Sequence, residues 1–591
     1  MNDRRLSTLT RGDLAALASG GASESAALAT LCEGQVGKHK LLLRGVVRLG
    51  GEAVPSVAAD LEERYRLLGT LEQYAPDAVA TLLRHPQVGA WAAHCLRGLS
   101  RRDPSVADDL DYLGAVAAAA AIRAGHPCTV ALRLRAGTLM LPTLGLARLS
   151  NARKAVVTVS GPGQATILAG KSVVKVPADP HGDAPGWEGL RRLSFGGRTV
   201  FLDDLDPYRE YGECVLVKRL SAAEVARWRR ALTEAWQLLT DYHPEYARTL
   251  GAGMASLIPV DLGADEKSIS ATSSDAFAAI AASAPADGVT LALALIHEFQ
   301  HAKLCALIDL RPLFKRDAKT LFYAPWRPDP RPVGGLLHGI YAHMGVSDFW
   351  RAHRRVASPS ERLVAEIEFT RWLHQALGSA TRLQDHEELT AEGHWFLSHI
   401  INRLTEWVTE PVSDRARELA ETAAADHLAS WRMWNVIPDS GDVALLAQDW
   451  LTGRAPHGTV RTRLRPPADG STRSVRSDLL YLKLRAPDQF DQETANSGDD
   501  PDVAYARGDF PGAVRGYLAQ IESGTEDSPA GRRAWAGLSL VSEPDSALRR
   551  YPEAVQAVYN KLGCLTEARP DPLSLGNWLR TVAANDSGFQ V

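Results

Sequence analysis

Residues 291–304 read LALALIHEFQHAKL and place His297, Glu298 and His301 as H-E-x-x-H inside an apolar run. On a helix, positions four apart lie on one face, one above the other, so both imidazoles can address a single metal ion. Glu298 sits about 100° further round, within reach of a metal-bound water or of a partner behind the ligands. With 17 histidines in 591 residues, only about 0.02–0.03 matches to this pattern are expected by chance. The apolar flanks on both sides predict a buried helix over about 288–308. Polar groups in such a helix are costly unless partnered. The plain alternative is two satisfied core histidines and a paired glutamate.

Outward from this helix the chain predicts an α+β fold, mainly helical, with the H-E-x-x-H helix packed beside a small sheet. Residues 1–125 form an N-terminal helical region, with apolar residues at helical spacing in Leu41–Leu49 and Leu61–Tyr74. Residues 126–460 form an α+β catalytic domain. It opens with β-branched runs broken by Gly and Pro (CTVALRLRAGTLMLPTLG, KAVVTVSGPGQATILAGKSVVKVP, RTVFLDDLDPY), which predict strands and hairpins. Ser221-Ala-Ala-Glu224 is a capping box opening a helix to about Tyr242, with Pro244 just beyond. MASLIPVDL and SISATSSDAFAAIAAS predict further strands leading into the motif helix, and 330–430 reads as helical. Residues 461–502, rich in Pro, Gly, Ser and charge, predict a linker or long loop. Residues 503–591 predict a C-terminal helical domain whose first hairpin is tetratricopeptide-like, without a fixed-period repeat.

Composition excludes several classes. A net charge of −4, with 45% apolar and 23% charged residues, describes an ordinary globular chain with no field to recruit nucleic acid or membrane. The basic run Arg461–Arg465 reads as solvated linker. MNDRRLSTLTRGDLAAL lacks the apolar core of a signal peptide. The Ala-rich window Leu113–Ile122 is about half the roughly 20 residues a bilayer span needs, which predicts a buried helix. Cys32, Cys95, Cys128, Cys214, Cys305 and Cys564 contain no C-x-x-C pair, arguing against a thiolate metal site and for a reduced, cytoplasmic protein.

Two histidines do not complete a metal site. A metzincin would continue with Gly and a third His where this chain has Leu304 and Leu307. A later glutamate (Glu361, Glu366 or Glu368) is available, but the plainer reading of these is a solvated helix face. The better source is YAPWRPDPRPVGGLLHGIYAHMGVSDFWR (323–351). Its prolines fix an extended lead, Gly334 and Gly335 allow close approach, and His338 and His343 follow. Five residues apart, these two lie about 140° apart on a helix, so at most one faces the ion. His338, between Leu337 and Gly339, is favoured, with His343 the alternative ligand or a support behind it. Arg327 and Arg331 can each form a bidentate pair with a carboxylate, which is what a 2-oxo acid cosubstrate on an open non-haem Fe(II) site requires.

These segments resemble the HExxH-motif peptide-modification family of ribosomal peptide clusters, whose members are α-ketoglutarate-dependent HExxH-type peptide β-hydroxylases. HEFQHAKL, LIDLRPLF and YAPWRPDPRPVGGLLHGIYAHMGVSDFWR carry the resemblance, strongest over roughly 250–355 and weaker at LDDLDPY, AGTLMLPTLG and the C-terminal tail. The resemblance implies His297, His301 and His338 as metal ligands. Tyr341-Ala342-His343 departs from members with an apolar last residue, which keeps His343 open as the third ligand. The cysteine triad of the radical-SAM fusions is absent, implying a stand-alone form. The activity implied is Fe(II)- and 2-oxoglutarate-dependent hydroxylation of a β-carbon in a ribosomally synthesised precursor peptide, with succinate and CO2 as co-products. Other maturation enzymes are expected partners, and Glu298 orients a ligand, a metal-bound water or the substrate. The rival readings are a zinc metallopeptidase of the HExxH type, with Glu298 as base, and a non-catalytic peptide-binding partner.

Overall fold

A computed structural model describes residues 9–20, 24–149, 152–212, 214–261, 268–465, 474–523, 528–566, 569–586 and 589–591. It is 60% helical and 15% strand, an α+β fold that is mainly helical. The chain divides into two compact units, Met1–Pro312 and Leu313–Val591. The expected catalytic span 126–460 runs across that division, so the H-E-x-x-H pair belongs to the first unit and His338 and His343 to the second.

The first unit opens with helices Arg11–Ser19, Glu24–Ala53, Ala58–Tyr74, Pro76–Leu83, Pro86–Arg101 and Tyr112–Ala124. Thr10 caps the first by accepting from Asp13 N while the Asp13 carboxylate accepts from Thr10 N. Tyr112–Ala124 is the Ala-rich segment. Ala115–Ala121 are all buried, because side chains this small let neighbours close on every face. An antiparallel meander follows, in the order Cys128–Arg133, Lys154–Gly161, Gln164–Ala169, Ser172–Val176. Its strands alternate buried and open residues, as a sheet covered on one face must.

A second, five-stranded sheet has the order Ser270–Ala271, Ala279–Ser283, Ser256–Val260, Arg198–Leu202, Arg191–Phe195. Its parallel central pair, SLIPV and AIAAS, is buried at every residue, the signature of strands covered on both faces. The Ser221/Glu224 capping box opens helix Ala222–Tyr242 as the sequence predicts. Pro244 does more than stop it: it is the first residue of helix Pro244–Gly253, since proline lacks only an N–H that a helix start leaves unbonded anyway.

The motif helix runs from Gly288 to Leu310, with the Asp287 carboxylate accepting from Thr290 N at 2.7 Å. Among the described residues it is the one helix long and apolar enough to cross a membrane, yet 67% of its apolar window is buried inside the protein. Contacts fix it on several sides. A Cβ on Gly288 would meet Glu234 Cβ at 2.5 Å, and one on Gly253 would meet the Phe299 ring at 2.4 Å. Both glycines are what lets neighbouring helices approach. Lys303, 2% exposed, pairs with the equally buried Glu24. Asp309 accepts from Gln35 at 2.9 Å and Lys38 at 2.8 Å.

In the second unit, helices Val333–His353, Pro359–Leu383, Ala391–Val408, Asp414–Asn435 and Ser440–Leu451 are followed by the shorter helices of the tail. The stretch expected as a linker is ordered wherever it is described. Thr459–Leu464 is a strand pairing with Val436–Pro438 and Ala583–Asp586, and Val475–Arg485 and Pro487–Thr494 are helices. The physical reason is charge pairing that composition does not show. Arg476, 1% exposed, binds Asp426 (2.7 Å) and Asp502 (2.8 Å). Arg461, in the run read as solvated linker, bonds both oxygens of Asp442 at 2.9 Å. The tail shares one core with the preceding helices, joining Met433 and Leu446 to Trp535, Val555 and Tyr559. Its first helices have 7 and 13 residues.

Arg476→Ala leaves Asp426 buried without its cation. It is expected to lower stability by about 3–5 kcal/mol, read from the urea midpoint of the second unit's transition.

Candidate metal centre

His297 and His301 stand one turn apart on the motif helix. Their Nε2 atoms are 3.1 Å apart, with the rings at 80° to each other. Two donors bound to one ion at about 2.0–2.1 Å in tetrahedral geometry lie about 3.3–3.4 Å apart, and closer at smaller ligand angles. The pair is therefore already within a few tenths of an ångström of a shared-ligand spacing. Burial lowers the pKa of His297, against the opposing charge of Glu298, which favours the neutral imidazole a metal needs. The His297 side chain nevertheless keeps 26% exposure, leaving one side of the pair approachable.

Glu298 is 3% exposed. Ser270 Oγ donates to its Oε1 at 2.7 Å and Thr272 Oγ1 to its Oε2 at 2.6 Å. Both hydroxyls come from the edge of the five-stranded sheet, where Ser270–Ala271 pairs antiparallel with Ala279–Ser283. This is the small sheet expected beside the motif helix. It holds the carboxylate so that Oε1 lies 3.9 Å from His297 Nε2.

In the second unit, His338 and His343 share helix Val333–His353. Burial pushes His338 down to about 4, again leaving a neutral ring. His343 is wedged between two indoles. It stacks on Trp326 at 4.5 Å and 16°, lies 4.6 Å from Trp372, and its Nδ1 is 2.9 Å from Gly339 O. Of the glycines in this segment, Gly339 and Gly334 have the approach role. A Cβ on Gly339 would meet Trp326 Nε1 at 2.1 Å and one on Gly334 the Phe314 ring at 2.7 Å, whereas Gly335 has room for one.

Arg327 and Arg331 converge on a single carboxylate, Asp329, at 3.0 and 3.3 Å. Burial and the neighbouring Arg327 lower the pKa of Arg331, with Asp329 opposing. The three glutamates weighed as ligands are engaged elsewhere. Glu361 accepts from Ser358 Oγ, Glu366 from Ser413 and Glu368 from Trp372 Nε1.

Sequence reasoning missed one constellation. His85 and, over a hundred positions later in the chain, Asp203 and Asp206 come together inside the first unit. The only available signal was the acidic density of LDDLDPY beside a strand, and nothing local connects that run to His85.

No protein-family model matches this chain, and no curated protein matches it. The reading of the site rests on its donors and their geometry.

Thr272→Val removes the half-buried donor to Oε2 of the buried Glu298. It is expected to cost about 1–3 kcal/mol in chemical denaturation, with metal content per chain unchanged because both histidines remain.

Proposed function

We propose that the chain is an Fe(II)- and 2-oxoglutarate-dependent oxygenase that hydroxylates a β-carbon of a residue in a ribosomally synthesised precursor peptide, in the manner of the HExxH-type peptide β-hydroxylases it resembles. The observation that carries the reading is the convergence of His297 and His301 Nε2 at 3.1 Å beside a glutamate fixed by two hydroxyls. In this reading the two imidazoles are protein ligands and the resemblance implies His338 as the third, an open set of the kind non-haem iron oxygenases use. Iron with 2-oxoglutarate supplies oxygen activation when bound, one oxygen atom of O2 going to the substrate C–H and the other into succinate as CO2 leaves.

The remaining residues position. Glu298, held at both oxygens, presents Oε1 on the ligand side and orients a water or a substrate amide there. Arg331 and Arg327 already gather one carboxylate between them, and the distal carboxylate of 2-oxoglutarate is the same group in the same charge state. The wedging of His343 between Trp326 and Trp372 favours it as a support and His338 as the ligand. Six free cysteines fit a reducing cytoplasm.

One observation favours the zinc metallopeptidase. Glu298 Oε1 stands 3.9 Å from His297 Nε2, near enough to serve a metal-bound water as base. The two readings part in one assay. The anaerobically purified chain is incubated with its proposed precursor peptide, Fe(II), ascorbate, O2 and 2-oxoglutarate, and intact peptide mass is recorded. Gain of one oxygen atom, dependent on 2-oxoglutarate and matched by succinate, is expected. Backbone cleavage with Zn(II) alone would establish the peptidase instead. His297→Ala is expected to abolish the mass gain and bound iron together. Arg331→Ala should raise the 2-oxoglutarate KM by about tenfold or more, the loss of one charge-assisted pair.

A further inference from the structure

His85 caps helix Pro86–Arg101, just after helix Pro76–Leu83. Asp203 and Asp206 lie in the loop leaving strand Arg198–Leu202. One ligand atom from each of the three lies within 4.8 Å of the others. Both aspartates are 0% exposed and His85 is 2% exposed.

The bonds around these groups are unevenly distributed. Asp203 Oδ1 accepts from Leu205 N at 3.1 Å and Asp206 N at 2.9 Å. Asp206 Oδ1 accepts from Tyr208 N at 2.9 Å and its Oδ2 from the Tyr112 hydroxyl at 2.5 Å. By contrast, Asp203 Oδ2 and both ring nitrogens of His85 have no hydrogen-bond partner among the described residues. The Tyr211 hydroxyl, buried beside the two carboxylates, has the Gln87 side chain as its polar neighbour.

Charge is equally uneven. Asp204, between the two, is paired with Arg191 at 3.2 Å and Arg219 at 2.7 Å. The charge of buried Arg209 acts on both Asp203 and Asp206 and offsets part of their own, but its bonds go to the backbone carbonyls of Asp206, Asp203 and Val217 and not to either carboxylate. Two buried carboxylates and an imidazole with both nitrogens unbonded thus share one space with no side-chain cation bonded to either acid among the described residues. Such a group demands a compensating cation or proton. A proton shared by the acids is the rival answer, and burial with the Asp203 charge does push Asp206 up to about 7. That proton would leave His85 without a partner, however. A cation answers the carboxylates and the imidazole together.

We propose that His85, Asp203 and Asp206 bind a divalent transition-metal ion, zinc foremost, in a buried three-ligand site separate from the H-E-x-x-H pair. One nitrogen and two carboxylate oxygens suit zinc and its first-row neighbours, whereas calcium and magnesium prefer oxygen alone. The ion joins the turn between two N-terminal helices to the loop below the five-stranded sheet, tying segments far apart in sequence. Its burial separates it in kind from the half-open motif pair.

The test is metal stoichiometry on the full-length chain. A His297→Ala/His301→Ala variant is stripped with chelator, dialysed, titrated with Zn(II), and measured by elemental analysis and thermal unfolding. One equivalent bound per chain, with a rise in Tm, is expected. Asp203→Asn/Asp206→Asn added to the histidine variant should lose that equivalent and the Tm response. No bound zinc in the histidine variant overturns the proposal, as does an undiminished equivalent in the asparagine variant. A metal-free chain stabilised by Asp206→Asn overturns it in favour of the shared proton. Should the asparagine variant fail to fold, Co(II) loaded into the histidine variant decides: a visible d–d spectrum that Zn(II) abolishes supports the site, and no spectrum overturns it.

Discussion

A helix buried in an apolar core has to find a partner for every polar group it carries, and the motif helix Gly288–Leu310 carries several. Glu298 meets two hydroxyls from the sheet edge, Lys303 meets Glu24, and Asp309 meets Gln35 and Lys38. The pairings of the buried Glu298 and Lys303 also set where the helix sits, because a buried group stripped of its partner costs several kcal/mol. The same bonds that make the helix tolerable in the core hold the two imidazoles on its approachable side. Stability and site geometry therefore depend on one set of contacts.

The loop LDDLDPYR follows the same rule with a different outcome. Its middle acid is neutralised by two arginines, while its flanking acids turn inward toward His85. Tyr112 donates into this loop to Asp206, and Tyr208 donates out of it to Asp109. In the second unit, Arg432 with Glu553 and Arg476 with Asp426 do the equivalent work between the middle helices and the tail. Both units are thus held by long-range buried ion pairs on top of an ordinary apolar core.

Much of this was readable locally. The motif helix, the capping box at Ser221, the buried Ala-rich helix and the strand-rich region after residue 126 all follow from periodicity and short-range bonds, which one stretch of chain contains entirely. The pairing of Glu298 with Ser270 and Thr272 was not readable, because the two segments meet only once the edge strand has formed. The order in 475–494 was missed for a related reason. A Pro-, Ser- and charge-rich composition describes a loop unless one of its arginines has a buried acid waiting elsewhere. The role of Gly339 was hidden behind that of Gly335, since only the fold reveals which glycine faces an indole.

By itself the sequence determined the α+β, mainly helical character of the protein and the presence of two histidines one turn apart on a buried helix, because helical period and apolar burial are properties of a single segment. Tertiary structure alone decided which hydroxyls hold Glu298, that Arg327 and Arg331 gather one carboxylate, that His343 is clamped between Trp326 and Trp372, and that His85 meets Asp203 and Asp206. Each of these is a meeting of segments whose separation along the chain carries no record of their distance in space. The energy that brings them together belongs to the packed core.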